Sequence, residues 1–240
     1  IYVSSDPEVV RVDGTGHVTG LKKGTATVTA YELVGGRKFQ ADPVTFTVTD
    51  QSIGTVTAVK VLAKDLTVKN PSDGGYSVSG DSVTIKAMGQ GLWAIQTANN
   101  VIVSGENVNR GDGTFTAIVK MSGKTVNNWD EAGLFIYKDD DNYVAVERKH
   151  GTNSPKVHVV TEANGSANED QNTENPNAEA IWLKLEKSGN TFTGYCSVDK
   201  ENWTKVGNSI TNDKIGNSFG VALVAGTGNS TKGTAFTFSD

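Results

Sequence analysis

A chain of 240 residues with 36% hydrophobic residues, 27 glycines and only 5 prolines has the composition of a folded protein with many tight turns. Its net charge of −5, without a long cluster of Lys or Arg, argues against a nucleic-acid partner. No apolar run approaches the roughly 18 residues that a membrane span requires, so no membrane partner is expected. The single cysteine, Cys196, excludes an intrachain disulfide and is expected to be a small buried hydrophobe.

The chain begins with IYVSSDPEVV, which has neither a basic region nor an apolar core. No signal peptide is therefore expected here, and the sequence is interpreted as a piece of a longer protein. Nearly every periodic segment that follows, from VTGLKKGTATVTA to AFTFS, alternates polar and apolar residues with period two. Turns rich in Gly, Asn and Asp, such as DGTG and SDGG, separate these segments. The pattern predicts an all-β protein of antiparallel strands.

The strand pattern is interrupted once, where VTFTVTD ends and the polar stretch QSIGTVTA begins. A polar connector between two strand-rich blocks indicates a domain boundary. We therefore expect a small domain at residues 1–50, a linker at residues 51–58 and a larger domain at residues 59–240.

The first block contains SSDPEVVRVDGTGHVTGLKKGTATVTA, in which an Asp-Pro turn, a DGTG turn and a Thr/Val strand follow one another. Ala26 and Val28 of that strand are expected to be buried. The stretch resembles the bacterial immunoglobulin-like domains of group 2, which usually begin some tens of residues earlier. The resemblance implies a partial immunoglobulin-like β-sandwich.

The second block has a meander in its middle, in which GLFIY, YVAVE, KVHVV, WLKLE and TFTGYCSV follow one another through short turns. These five strands are expected to lie side by side in one sheet. The stretches AGLFIYKDDDNYVAVE and WLKLEKSGNTFTGYCSVDKENWTKVG resemble the concanavalin-like, laminin-G-like modules appended to bacterial glycoside hydrolases. The resemblance implies a jelly-roll sandwich of two sheets and a bacterial, secreted or cell-surface location. It also implies a covalently adjacent catalytic domain and a carbohydrate partner, a plant or host glycan that could be bound at a chain-terminal sugar.

The acidic residues do not form a recognisable catalytic pattern. Asp130 and Glu131 are neighbours, and at the start of a strand they point to opposite faces. Glu169, Asp170 and Glu174 occur in an Asn-rich stretch without a strand pattern, where carboxylates are ordinarily solvated. Glycosidases of this fold usually place their acids at alternate positions of one strand, and that arrangement is absent. No enzymatic activity is predicted.

Three consecutive aspartates, Asp139, Asp140 and Asp141, lie between GLFIY and YVAVE. A solvated hairpin turn is the preferred interpretation of this position, and a structural calcium site is the alternative, because clustered oxygen atoms suit hard cations. No other cofactor is expected.

The remaining candidate is one face of the meander sheet. If Leu134, Ile136, Val144 and Val146 point into the core, alternation places aromatic and charged residues on the opposite face. Sugars stack their C–H faces on aromatic rings and form hydrogen bonds through their hydroxyls. Arg148 belongs to the inner side by alternation, although a position at the strand end allows it to reach the rim. The predicted carbohydrate-binding residues are Glu131, Tyr137, Tyr143, Glu147, Arg148, Lys149, His158, Trp182, Lys184, Trp129 and Tyr195.

Trp93 and Trp203 are interpreted as structural residues. The hypothesis favoured by the sequence is a non-catalytic module that directs an extracellular glycoside hydrolase to its glycan. The alternatives are an adhesin or stalk fragment that contacts a host protein and, less favoured, a cryptic glycosidase. A merely solvated outer sheet surface is the simplest competing interpretation of the face.

Overall fold

The computed structural model describes residues 1–16, 18–48, 66–94, 96–111, 113–151, 154–228 and 233–239. They belong to two compact units, Ile1–Val59 and Lys60–Asp240, and the predicted linker at residues 51–58 lies outside the described residues. The regular structure of the described residues consists of β-strands alone, so the predicted all-β class is confirmed. None of the described residues forms a helix long and apolar enough to cross a membrane.

The smaller unit is built around one long strand, to which three shorter strands pair antiparallel. Its elements are β1 (Tyr2–Ser4), β2 (Val10–Val12), β3 (Val18–Gly20), β4 (Gly24–Val34), β5 (Arg37–Gln40) and β6 (Val44–Val48). Strand β4 pairs with β1, β5 and β6, while β2 and β3 form a separate hairpin. Ala26 and Val28 of β4 are buried against Val9 and Val10, as the alternation predicted.

The larger unit is a sandwich of two antiparallel sheets. The seven-stranded sheet has the order β15-β14-β13-β12-β20-β10-β7, and the main path of the eight-stranded sheet is β18-β17-β16-β11-β21-β9-β8, with β19 paired to β17. The strands are β7 (Leu66–Lys69), β8 (Tyr76–Ser79), β9 (Ser82–Lys86), β10 (Val101–Asn109), β11 (Thr114–Ser122), β12 (Glu131–Asp139), β13 (Asn142–His150), β14 (Pro155–Ala163), β15 (Ser166–Glu174), β16 (Ala180–Ser188), β17 (Thr191–Ser197), β18 (Thr204–Lys205), β19 (Ile210–Thr211), β20 (Ser218–Gly226) and β21 (Ala235–Ser239).

The main hydrophobic core lies between the two sheets. The inward residues predicted for the meander, including Leu134, Val146 and Leu183, belong to this core. Cys196 is also part of it and is 1% exposed, which confirms its expected role as a small buried residue.

The prediction that five meander strands share one sheet was wrong. Strands β12, β13 and β14 belong to the seven-stranded sheet, whereas β16 and β17 belong to the eight-stranded sheet. The reason lies in Ser166–Glu174, which the sequence pattern indicated to be a loop and which forms strand β15. This strand lies at the edge of its sheet, where polar side chains are tolerated on both faces. The chain then crosses to the other sheet.

A second, smaller core covers the outer face of the seven-stranded sheet. Leu92 and Ala98, from the segment between β9 and β10, are packed with Phe135, Tyr137 and Tyr143 in one buried cluster. These apolar groups are withdrawn from water together with Glu162, which lies opposite Tyr143 and accepts a hydrogen bond from the Ala94 amide.

Candidate functional site

Polar side chains cluster where strands β12, β13, β14 and β15 lie next to one another. Strand pairing places Glu131 opposite Lys149, and it places Glu147 opposite His158. All four residues lie on the face that the alternation predicted. Residues opposite one another on neighbouring strands have their Cβ atoms about 5 Å apart, so their side chains interact directly.

One ammonium group joins several carboxylates in this region. Lys149 Nζ lies 3.3 Å from Glu131 Oε2 and donates a hydrogen bond to Glu169 Oε2 at 2.6 Å. Glu131, Glu147 and Lys149 are only 7%, 4% and 5% exposed. We refer to Glu131, Glu147, Lys149 and Glu169 as the acidic cluster, because it contains three carboxyl groups and one ammonium.

Two glycines make room for the buried carboxyl groups. A Cβ atom at Gly133 would collide with Glu147 and with the backbone of β13, and a Cβ at Gly91 would overlap the carboxyl group of Glu131. The absence of a side chain at these positions therefore allows Glu131 and Glu147 to lie within the packed face. Gly91 belongs to the segment between β9 and β10, which covers the outer face of the seven-stranded sheet and which we call the covering segment. This segment therefore forms part of the surroundings of Glu131.

Two tryptophans flank the acidic cluster. Lys149 Nζ lies 4.7 Å from the centroid of the Trp93 ring and 5.9 Å from the Trp129 ring. Trp129 is 50% exposed, and its backbone has a φ of 69°, a left-handed conformation that is rare for a bulky residue. Its amide donates a hydrogen bond to the carbonyl oxygen of His150 at 2.7 Å. A residue with a strained backbone conformation and a half-exposed ring beside buried charges is typical of a functional position.

The surroundings change the proton affinities of the cluster. Burial, and then the nearby Glu131 carboxylate, raise the pKa of Glu147 well above its ordinary value. Burial also raises the pKa of Glu131, although the Lys149 charge opposes this effect. The pKa of Lys149 is raised despite its burial, because Glu131 and Glu147 stabilise the ammonium form. Burial lowers the pKa of His158, which favours a neutral imidazole.

This arrangement suits a neutral, hydroxyl-rich ligand. The carboxyl groups outnumber the ammonium group, so an anion would meet net repulsion, whereas hydroxyls can donate hydrogen bonds to the carboxylates. Lys149 and His158 offer donors at the same place. The exposed ring of Trp129 provides an apolar surface on which C–H groups can stack.

Two tyrosines among the predicted binding residues are unavailable to a ligand. Tyr137 and Tyr143 are 1% and 0% exposed, because the covering segment packs on them. Their hydroxyls donate hydrogen bonds of 2.6 Å to Asp140 Oδ1 and to the Leu92 carbonyl, and burial raises both pKa values. The predicted stacking role of these two tyrosines was therefore wrong.

Arg148 points inward, as its position in the alternation indicated, and does not reach the rim. It is 0% exposed, and its guanidinium donates to the carbonyl oxygens of Gly123 at 2.6 Å and Ala178 at 3.0 Å, and to Asn175 Oδ1 at 2.9 Å. Its predicted role in binding sugar was therefore wrong, because each of these hydrogen bonds holds a loop of the sandwich in place.

Trp182, Lys184 and Tyr195 do not join the other predicted residues. They belong to β16 and β17, and neighbours such as Leu183 and Leu185 point into the core between the sheets. Alternation therefore places these three side chains on the outer face of the eight-stranded sheet. The predicted single site is divided between the two outer surfaces of the sandwich.

The three aspartates lie at the turn between β12 and β13, as the preferred interpretation predicted. Asp139 Oδ1 accepts hydrogen bonds from the Asp141 amide and from the side chain of Asn142. Across the described ranges, no three His, Cys, Asp or Glu side chains are grouped so that they could hold a metal ion. The calcium site stays a prediction.

Two residues of the cluster region were missed by sequence reasoning. Glu169 was interpreted as a solvated loop carboxylate, but in β15 its side chain is an ion-pair partner of Lys149. Trp93 was interpreted as structural, and it packs against the second core while its ring faces Lys149. The pairing of β14 with β15 shifts register between Val159 and Thr161, so simple alternation within SANEDQNTE would not have revealed Glu169.

The fold and the cluster define an all-β chain whose larger unit is a concanavalin-like sandwich of two sheets. Residues 111–228 match the family model of the beta xylosidase C-terminal concanavalin A-like domain. Residues 1–41 match the bacterial Ig-like domain of group 2. Both resemblances that the sequence motifs indicated are confirmed.

Solved structures with a similar fold include two Bacillus proteins. The GH43 protein BlXynB from Bacillus licheniformis is 16% identical, with a TM-score of 0.64 over 95% of this chain and 51% of that one. A xylan beta-1,4-xylosidase from Bacillus halodurans C-125 is 10% identical, with a TM-score of 0.55 over 96% of this chain and 52% of that one. The chain thus spans about half the length of either protein.

A functionally unknown protein from Saccharomyces cerevisiae is 20% identical, with a TM-score of 0.59 over 73% of this chain and 94% of that one. At such identities, these likenesses show the fold alone. No curated protein matches the chain.

Proposed function

We propose that the larger unit is a non-catalytic, carbohydrate-binding accessory module that holds a glycoside hydrolase on its glycan. The match to a domain described as the C-terminal part of beta xylosidases supports this proposal. Tethering to a polymer raises the effective concentration of substrate near a linked catalytic domain, so weak binding suffices. Because polymeric glycans lie outside the cell, this role implies a secreted or cell-surface protein in a bacterium.

The observation that carries the proposal is the acidic cluster between two indole rings. Glu131 and Glu147 would accept hydrogen bonds from sugar hydroxyls, Lys149 and His158 would complete the polar contacts, and Trp129 would stack on the sugar ring. The excess of carboxylates favours a neutral sugar over an acidic one, as argued above. The ligand class is therefore a neutral glycan, of plant or host origin.

A pair of carboxyl groups with raised pKa values also occurs in glycosidases, where one acid donates a proton and the other stays ionised. In this protein Lys149 forms an ion pair with Glu131, and its charge opposes the rise in the pKa of Glu147, so the two carboxyl groups share one cation in place of dividing into a neutral acid and a free carboxylate. Hydrolysis of aryl glycosides that disappears in Glu131→Gln would establish a glycosidase and overturn the non-catalytic assignment. We expect no turnover.

The proposal is tested by isothermal titration of the full chain with neutral xylo-, arabino-, fructo- and galacto-oligosaccharides chosen from a glycan array. Trp129→Ala and Glu169→Gln are expected to weaken binding about tenfold or more, equivalent to about 1.4 kcal/mol. Asp170→Asn is the matched control, because this exposed carboxylate follows Glu169 and accepts its hydrogen bond from the Asn168 side chain at 2.7 Å.

Two outcomes would contradict the proposed function. Absence of binding to every glycan of the array would favour the adhesin or stalk alternative, in which the sandwich contacts a protein. If Asp170→Asn and Glu169→Gln weaken glycan binding equally, the binding site does not lie at the acidic cluster.

A further inference from the structure

The outer face of the eight-stranded sheet carries a second group of aromatic and charged residues, far from the acidic cluster. Strand pairing places Lys120 opposite Trp182 and places Lys184 between Ile118 and Tyr195. Lys205 of β18 extends the same row beyond Tyr195. We refer to the residues of this group as the basic face: Lys120, Trp182, Lys184, Tyr195, Lys200 and Trp203.

Every aromatic ring of the basic face is accompanied by an ammonium group. Lys184 Nζ lies 4.1 Å from the centroid of the Tyr195 ring and 4.7 Å from that of Trp203. Lys200 Nζ lies 4.3 Å from the Trp182 ring, and Lys120 Nζ lies 5.8 Å from it. Cation–π contacts of this length hold the ammonium groups at defined positions beside apolar ring surfaces.

The charge of this face is opposite to that of the chain as a whole. The chain carries a net charge of −5, whereas on and beside this face four lysines, counting Lys205, outnumber three acids, of which Glu186 is paired to Lys184 at 2.9 Å. Two further acids, Asp199 and Glu201, belong to the adjoining turn. Asp199 accepts hydrogen bonds from the Asn202 side chain and amide and from Ser197, which lower its pKa and hold its carboxylate within the turn.

The same rows continue into a hydroxyl-lined depression. A cavity of about 310 Å³ at the other end of the strands is lined by Thr114, Thr116, Thr191, Thr193 and Glu186, among others. From Lys120 to Thr114, six residues of an extended strand cover about 20 Å. The face thus combines ammonium groups, ring surfaces and hydroxyls along one direction, which suits an extended chain better than a single small molecule.

We propose that the basic face is a second binding surface, for an extended glycan that carries carboxylate groups. Ammonium groups beside rings can pair with the carboxylates of uronic-acid residues while the rings contact the sugar C–H surfaces. Such a ligand is the opposite of the neutral sugar favoured at the acidic cluster, so the two surfaces would engage different parts of one branched polymer. The inference does not depend on binding at the acidic cluster.

The test compares two probes that differ only in charge: a xylan with glucuronate branches, and the same xylan after reduction of its carboxylates to hydroxymethyl groups. The full chain is expected to bind the acidic form at least tenfold more tightly at low salt. At about 1 M salt, where the Debye length falls to about 3 Å, this preference should disappear. Equal affinity for the two forms at low salt would overturn the proposal.

The double variant Lys184→Gln/Lys200→Gln is expected to abolish the preference for the acidic form. The matched control, Lys22→Gln/Lys138→Gln, removes the same charge from exposed lysines elsewhere and should keep it. A control that loses the preference as fully as the double variant would show that overall charge is responsible, and would refute the site.

Two single variants separate this site from folding effects and from the acidic cluster. Trp203→Ala should lower the affinity for the acidic xylan with an unchanged melting temperature, and an unchanged affinity would count against the basic face. Trp129→Ala should lower the affinity for the reduced xylan, so the preference for the acidic form should stay at tenfold or rise. Loss of the preference in this variant would assign the acidic glycan to the other surface.

Discussion

The role of Lys149 as the only ammonium within the acidic cluster leads to a sharp prediction about stability. In Lys149→Met the buried Glu131 and Glu147 lose the cation that compensates their charge, while the methionine side chain still fills the space beside Trp93. We expect a large loss of stability at neutral and higher pH, and a smaller loss at acidic pH.

The magnitude follows from distance and burial. At the 3.3 Å that separates Lys149 Nζ from Glu131 Oε2, an effective dielectric constant of about 20 gives an attraction of about 5 kcal/mol. The contact with Glu169 adds little, because that side chain is 31% exposed and water screens its charge. Removing one partner of a buried pair costs about 3–5 kcal/mol in other proteins, and we expect a loss in this range at pH 8.

The pH dependence has a definite sign. Glu131 and Glu147 have folded-state pKa values above their ordinary ones, so their contribution to stability is complete at low pH and declines as the pH rises through the folded pKa. Loss of Lys149 raises these pKa values further. The difference between wild type and Lys149→Met should therefore grow from pH 5 to pH 8.

Urea unfolding followed by tryptophan fluorescence measures this effect in the larger unit, because the chain's four tryptophans all lie there: Trp93, Trp129, Trp182 and Trp203. Lys138→Met, at an exposed position of β12, is the control and should change stability by no more than about 0.5 kcal/mol. A loss below about 1 kcal/mol at pH 8, or an equal loss at pH 5 and pH 8, would refute the compensating role of Lys149.

Three further predictions concern neighbouring residues. Glu147→Gln should stabilise the protein at pH 7–8, because it removes a buried carboxyl group whose pKa is raised above the ordinary 4.5. The decline of stability above pH 4.5 should also become smaller. Greater stability of the wild type at pH 8 in the same urea assay would contradict this prediction. Gly91→Ala should reduce glycan affinity in calorimetry, since its Cβ would displace the Glu131 carboxyl group; an unchanged affinity would show that this carboxyl group is not needed. Arg148→Met should cost about 3 kcal/mol or more in urea unfolding, because several acceptors inside the fold lose their donor; a change below about 1 kcal/mol would contradict that role.

Alternation was sufficient to predict which residues enter the main core. Leu134, Ile136, Val144 and Val146 all point between the sheets, because the side-chain period of a strand is fixed at two. The same rule correctly placed Glu131, Glu147 and Lys149 together on the other face. What alternation cannot predict is whether a face remains open to solvent. Tyr137 and Tyr143 lie under a segment about forty to fifty residues earlier in the chain, and that long-range contact leaves no periodic signal.

Sheet membership was the second feature that local pattern could not determine. Strands β14 and β16 both alternate and follow one another closely, and only the edge strand β15 between them separates the sheets. Its side chains are polar on both faces because an edge strand can be solvated, so its sequence resembles a loop. The misplacement of Trp182, Lys184 and Tyr195 follows directly from this one missed strand.

The covering segment determines how the carboxyl groups of this face are accommodated. An open antiparallel sheet can keep polar groups anywhere on its solvated side. Here Leu92 and Ala98 pack on apolar partners such as Phe135, and the Glu162 carboxyl group buried at that end accepts a hydrogen bond from the Ala94 amide. Glu131 and Glu147 lie at the other end, where Gly91 of the segment adjoins the Glu131 carboxyl group. At that boundary Glu131 and Glu147 are buried and have perturbed pKa values, while Lys149, the ion-pair partner of Glu131, lies 5.9 Å from the half-exposed Trp129 ring. If the proposed function holds, burial by the segment would perturb the carboxyl groups while the exposed Trp129 ring would admit a hydroxyl-rich ligand beside them.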